Sequence, residues 1–122
     1  MGETELLDML ATETDRRSAT IIEGVESLAE SDAPAPERVE ALRVEAHGLK
    51  GAALVVGQAR LAELALRIEV ILTARIGPGT IDADLASRLV PAISALHQGA
   101  QAAADGAEEP PAVAAALESL AE

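Results

Sequence analysis

Composition and charge limit what this chain can be. Its 122 residues suffice for one domain with a modest hydrophobic core, so we expect residues 1–122 to form a single domain. The absence of cysteine excludes disulfides, thiol catalysis and zinc-thiolate sites, and it favours a cytoplasmic location. A net charge of -12 and the lack of aromatic residues argue against binding to nucleic acid, which needs clustered lysine and arginine. Neither a signal peptide nor a membrane-spanning run is present, so we expect no membrane partner.

Two amphipathic helices are predicted in the first half of the chain, because apolar residues recur there at three- and four-residue spacing. The first helix runs from about Glu3 to Glu30. Residues 31–36 have turn chemistry, and Pro36 suits the first turn of the second helix. The second helix has an apolar stripe formed by Val39, Leu42, Ala46, Leu49, Ala53 and Val56. His47 lies beside that stripe, so its imidazole is predicted to be at least partly exposed.

Three further helices are predicted in the second half. The third ends before the Gly-Pro-Gly sequence at 77–79. Either Thr80 or Asp82 can cap the fourth helix, and Pro91 is predicted to kink it by removing one internal hydrogen bond. The two prolines at 110–111 open a short last helix.

This order of elements predicts an all-α fold. Four long amphipathic helices with short connections are typical of an up-and-down antiparallel four-helix bundle. The short additional C-terminal helix is expected to pack across one end or side of that bundle. Since the chain has no Phe, Tyr or Trp, the core must consist of leucine, isoleucine, valine and alanine.

The segment 46–57 is the most informative part of the sequence. Residues three and four apart share one face of a helix, so Lys50 and Gly51 lie one turn beyond His47. Lys50, the only lysine in the chain, can bring an ammonium group to a phosphoryl oxygen. Gly51 leaves room beside the ring, and Gly48 also flanks it, although each glycine costs the helix about 1 kcal/mol relative to alanine. The pattern favours a histidine that carries a phosphoryl group over an ordinary half-exposed one.

Eight residues then match a known pattern without an insertion: Ala46, His47, Leu49, Lys50, Gly51, Gly57, Leu61 and Glu69. With this pattern the chain resembles the histidine phosphotransfer (HPt) family. It is similar both to free-standing HPt proteins and to the phosphoacceptor domain of chemotaxis-type histidine kinases, and the sequence leaves open which of the two applies. Those chemotaxis domains often have a second histidine three residues before the glutamate, where this chain has Leu66.

The resemblance implies a phosphoryl carrier in two-component phosphorelay signalling. His47 would be the phosphoacceptor, with Lys50 and Glu69 as catalytic partners. Glu69 is a candidate acceptor for the Nδ1 hydrogen of His47, which would leave Nε2 free, but it is equally a candidate for a surface ion pair with Arg43. The implied partners are a histidine kinase and a response-regulator receiver domain whose acidic pocket supplies Mg²⁺. We expect no cofactor or metal bound by this chain and no autonomous ATP-dependent kinase activity, because no P-loop order of residues is present.

Five residues are candidates for the docking face: Arg43, Gly48, Gly51, Leu54 and Gly57. Arg43 and Lys50 are expected to form a small basic island in an otherwise acidic molecule. Arg43 could instead serve solubility, and Gly57 could simply end a helix. His97 has no matching residues around it and is interpreted as structural. The rival function is a helical interaction module that binds receiver domains without being phosphorylated. A metal-binding four-helix bundle is disfavoured because no Glu-x-x-His sequence occurs.

Overall fold

The computed structural model describes residues 2–121, and this part of the chain consists of five α-helices with no β-strand. The helices are α1 (Glu3–Ala29), α2 (Pro36–Val55), α3 (Ala59–Ile76), α4 (Ala83–Ala104) and α5 (Pro111–Ser119). The predicted all-α fold of four long helices and one short C-terminal helix is therefore confirmed.

The four long helices pack as a ring. α2 lies mainly against α3, and α1 lies mainly against α4. Contacts between α1 and α2 and between α3 and α4 complete the ring. Consecutive helices are joined by short connections, which makes sequence neighbours antiparallel. α5 packs on α4 and α3, so the short helix covers one side of the bundle.

A left-handed glycine turns the chain from α2 into α3. Gly57 has a φ of 75°, a conformation that glycine adopts without steric penalty. Its N–H donates to the carbonyl of Leu54 at 3.1 Å, and the N–H of Gln58 donates to the carbonyl of Ala53 at 2.9 Å. These two bonds satisfy carbonyls that the end of α2 would otherwise leave unpaired. The tight turn sets α3 beside α2, which brings Glu69 opposite His47.

The other helix boundaries also follow local chemistry. Pro36 and Pro111 occupy the first position of α2 and α5, where a missing N–H costs nothing. Asp82 caps α4, because its carboxylate accepts a hydrogen bond at 2.8 Å from the backbone N–H three residues on. The hydroxyl of Thr80 instead accepts a hydrogen bond from Arg75 at 3.1 Å. α4 continues through Pro91, and the bend expected there stays a prediction.

The core lies between the four long helices and consists of aliphatic side chains. The largest fully buried side chains are Ile21, Leu28, Leu49, Leu64, Ile68, Leu72, Ile81, Leu89, Ile93, Val25, Val39 and Val113. Alanine and glycine fill the closest approaches between helices. A Cβ added at Gly99, for example, would lie 3.0 Å from a methyl group of Val113. The core holds the helices rigidly enough to fix the positions of side chains at their outer faces.

Candidate functional site

His47 stands on the outer face of α2 with its ring directed toward α3. Its side chain is 59% exposed, and its Nδ1 lies 3.0 Å from Oε2 of Glu69. The Glu69 side chain is only 12% exposed, so the carboxylate is held in one place beside the ring. An ionised carboxylate accepts hydrogen bonds and cannot donate them. The contact therefore favours the tautomer that has its hydrogen on Nδ1 and its lone pair on Nε2.

Glu69 is the centre of a small charged cluster. Besides His47 it faces Arg43, whose Nη1 donates to Oε2 at 3.2 Å, and Lys50, whose Nζ lies 3.2 Å from Oε1. The Lys50 contact is an ion pair that joins α2 to α3. Burial raises the pKa of Glu69, but the neighbouring Lys50 and His47 outweigh burial, so the net effect is a lowered pKa. Both sequence-based alternatives for Glu69 hold geometrically, since it contacts the ring and Arg43 together.

Arg43 is shared between two carboxylates. Its guanidinium forms a two-point contact with Glu40 of the same helix, with both N···O distances at 2.8 Å. This contact raises the pKa of Arg43 and lowers that of Glu40. The expected basic island of Arg43 and Lys50 is therefore wrong for the isolated chain. Glu40 and Glu69 oppose these two cations one for one.

The two glycines beside His47 have different surroundings. A Cβ added at Gly51 would meet no atom within 4 Å, so the bundle itself does not require glycine there. A Cβ added at Gly48 would overlap the guanidinium of Arg17 and lie 2.6 Å from its Cζ. Gly48 thus faces α1 and accommodates Arg17 rather than opening space around the ring.

Arg17 is a site neighbour that the sequence did not reveal. It reaches from α1 to α2, donating from Nε to Glu13 at 2.8 Å and from Nη1 to Glu45 at 3.2 Å. Glu13 is also bound by Arg16, and the two arginines together lower its pKa. The one available signal in the sequence was Gly48, a second glycine inside α2 that helix formation itself does not favour.

Exposed apolar side chains lie next to the charged cluster. Leu54, two turns beyond His47 on the same face of α2, is 59% exposed, and Val55 is 78% exposed. Beside them a groove of about 230 Å³ runs between α1 and α2, lined by Leu6, Met9, Leu10, Glu13, Gly51, Ala52, Val55 and Val56. Exposed apolar surface rimmed by polar groups is typical of a protein interaction site. Gly57 lies beyond it at the end of α2, where its structural role is to turn the chain.

The remaining candidates lie apart from this cluster. Leu66 is 42% exposed on α3 and lines a groove with Val70 and with Leu120. His97 belongs to α4, and its Nε2 lies 3.4 Å from Oδ1 of Asp15 on α1. The structure therefore brings together His47, Lys50, Glu69 and Arg43 and leaves His97 in a different interface.

Two further features concern ligands and membranes. Across residues 2–121, no three histidine, aspartate or glutamate side chains are grouped closely enough to hold a metal ion. Within the same residues, no helix has both the length and the apolar character that a membrane span requires. The carboxylates closest to His47 instead face arginine and lysine.

Residues 5–121 match the family model of the Hpt domain. Since the match covers nearly the whole chain, the protein belongs to the Hpt domain family. No individual curated protein matches the chain. Membership of this family supports histidine phosphotransfer in two-component signalling, with histidine kinases and receiver domains as the classes of partner.

Proposed function

We propose that this protein is a phosphorelay carrier that holds a phosphoryl group on Nε2 of His47 and exchanges it with receiver domains. The contact of 3.0 Å between Nδ1 of His47 and Glu69 is the observation on which the proposal rests. It engages one ring nitrogen on a ring that is 59% exposed, so the other can face a partner. Membership of the Hpt domain family supports the same role.

The transfer step is an in-line exchange between two nucleophiles. The Nε2 lone pair attacks the phosphorus of an aspartyl phosphate on the receiver, forming a P–N bond. The P–O bond breaks, and its electron pair leaves with the receiver carboxylate. The ring gains positive charge and keeps its hydrogen on Nδ1, while Glu69 remains an ionised carboxylate that accepts a hydrogen bond from this Nδ1–H. The same step in reverse passes the group to the next receiver.

Charge on the phosphoryl oxygens must be neutralised for this transfer. Lys50 supports this role, because its ammonium lies in the cluster and contacts Glu69 through the oxygen that His47 does not use. We expect the receiver to supply Mg²⁺ from its acidic pocket and a histidine kinase to supply phosphate upstream. Without a nucleotide-binding loop, this chain is not expected to act as a kinase.

Docking of the receiver is proposed to occur on the exposed apolar surface beside His47. Leu54 and Val55 provide apolar contacts, and Gly51 lets a partner approach the ring without meeting a side chain. Arg43 borders the same face and is proposed as a polar contact at its rim. We expect this exchange to take place in the cytoplasm. A chain without cysteine forms no disulfide and therefore does not need an oxidising compartment.

The test is phosphotransfer from a panel of radiolabelled phospho-receiver domains in the presence of Mg²⁺. We expect acid-labile label on the wild-type chain and none on His47→Gln. The matched control is His97→Gln, which removes the other histidine and should leave labelling unchanged. Receiver binding without label on the wild type would overturn the proposal and favour the non-phosphorylated interaction module.

A further inference from the structure

The Arg17 guanidinium lies closer to α2 than its ion pair with Glu45 requires. The nearest atoms to a Cβ added at Gly48 all belong to the Arg17 guanidinium, so the group rests directly on the backbone of α2. An ion pair between Arg17 and Glu45 could form equally with alanine at 48 if the guanidinium lay slightly farther out. Glycine also weakens the helix at this position. Glycine at 48 therefore allows Arg17 to lie against the backbone of α2 at a cost in helix propensity.

The contacts of Arg17 leave it able to change partner. Its weaker contact is with Glu45 at 3.2 Å, and both side chains are about a quarter exposed, at 24% and 25%. Glu13 would keep Arg16 as a partner if Arg17 moved. Only Glu45 would lose its cation, and its partial exposure allows water to replace it.

The ion pairs that involve Arg17 and those that involve Glu69 are balanced in charge before any phosphoryl group arrives. The two sets contain equal numbers of cations and carboxylates, namely Arg16 and Arg17 against Glu13 and Glu45, and Arg43 and Lys50 against Glu40 and Glu69. A phosphoryl group adds about two negative charges near neutral pH. In a molecule of net charge -12, a cation that can leave its carboxylate would offset part of that added charge.

We propose that Arg17 is a third cation of the phosphoacceptor site, which turns from Glu45 to bind the phosphoryl group on Nε2 of His47. This inference rests on the proposed function. Gly48 directly follows His47 in the chain, so the guanidinium lies against α2 one residue from His47, on the side that faces α1, whereas Lys50 pairs with Glu69 of α3. A guanidinium binds phosphate oxygens through paired N–H donors, more strongly than it binds one oxygen of a carboxylate.

The first test measures the phosphoryl group itself, without a receiver. The chain is phosphorylated with phosphoramidate, and the ³¹P signal of phosphohistidine is followed against pH. A nearby cation favours the dianion, so Arg17→Gln should move the titration midpoint to higher pH by about 0.5. Arg16→Gln is the matched control, since it removes a neighbouring arginine that also pairs with Glu13 but does not touch Gly48. A midpoint that is equal in wild type and Arg17→Gln would overturn the proposal.

The second test is a double-mutant cycle between Arg17→Gln and Gly48→Ala, read as the rate of transfer from a phospho-receiver. Arg17→Gln should slow transfer by about tenfold, because it removes the guanidinium. Gly48→Ala should slow transfer less, because the added Cβ shifts the guanidinium away from its place on α2. The double variant should be no slower than Arg17→Gln alone. Alanine at 48 also favours the helix, so the melting temperature should not fall and misfolding is separated from the effect.

The outcomes distinguish this inference from the proposed function. If neither phosphoramidate nor any receiver labels His47 in the wild type, both are overturned. If His47 is labelled but the two changes slow transfer independently, Gly48 acts on docking and the role of Arg17 is overturned. If receiver affinity changes in Arg17→Gln while the ³¹P midpoint does not, Arg17 is a docking residue instead.

Discussion

The two histidines of this protein each face a carboxylate on a neighbouring helix, yet their surroundings differ. His47 uses Nδ1 and lies 3.0 Å from Glu69, whereas His97 uses Nε2 and lies 3.4 Å from Asp15. The Glu69 side chain is 12% exposed, and the Asp15 side chain is 74% exposed. A buried carboxylate holds a ring in one orientation, while an exposed one is free to turn into solvent.

Cations mark the second difference. Arg43 and Lys50 both contact Glu69. The cavity beside His97 has Asp15, Ser18, Ser94 and Gln98 among its lining residues but no arginine or lysine. A phosphoryl group on His97 would therefore face an aspartate without a compensating charge. A contact between histidine and carboxylate is therefore common to both histidines, and the neighbouring cations and the burial of the carboxylate are what support the proposed role of His47 alone.

The largest expected effect comes from removing the buried carboxylate. Glu69→Gln should slow transfer to His47 by roughly 10- to 100-fold, because the amide no longer stabilises the positive ring that forms during transfer. Asp15→Asn is the matched change at the other histidine and should leave the rate within about twofold. Single-turnover transfer from a phospho-receiver measures both. Equal effects of the two changes would contradict the distinction between the two pairs.

Removing the ammonium group is expected to have the next largest effect. Lys50→Gln should slow transfer by about tenfold, because one cation for the phosphoryl oxygens is lost. Arg67→Gln is the control, since Arg67 is a cation on α3 that pairs with Glu63 and not with Glu69. Its transfer rate should match the wild type. An unchanged rate in Lys50→Gln would show that Lys50 only orders Glu69.

Acidification should disrupt the contact between His47 and Glu69 at a pH that is determined by the pKa of Glu69. Since the pKa of Glu69 in the folded protein is lowered from the value of 4.5, its carboxylate stays charged somewhat below pH 4.5. The contribution of the cluster to stability is present above that value and is lost as pH falls through the lowered pKa. Carbon NMR of the Glu69 carboxyl should show a midpoint below 4.5. Lys50→Gln should raise that midpoint. An unshifted midpoint would exclude Lys50 as a cause of the lowered Glu69 pKa.

How far the sequence predicts this molecule depends on the range of the interactions. Helix ends follow residues such as Pro36, Gly57 and Asp82, whose effects are local, and the fold was predicted from them. His47 and Lys50 share one helix, so their proximity needs only helical spacing. The seating of Arg17 on Gly48 joins residues in different helices and depends on how closely α1 and α2 pack. The error over the basic island has a partly different origin. Glu40 lies three residues before Arg43 on the same helix, so helical spacing alone allows that ion pair. The ion pair of Lys50 with Glu69 joins α2 to α3 and is seen only in the folded bundle.

The smallest expected effect comes from adding a methyl group at Gly51, beside His47. Gly51→Ala should raise the free energy of unfolding by up to about 1 kcal/mol, because alanine favours the helix and its Cβ meets no atom within 4 Å. Urea unfolding measures this gain. If Gly51 is kept open for a partner, the same variant should bind its receiver several-fold more weakly, since a methyl group would stand between the surfaces. A variant that is more stable and binds equally well would remove Gly51 from the docking face.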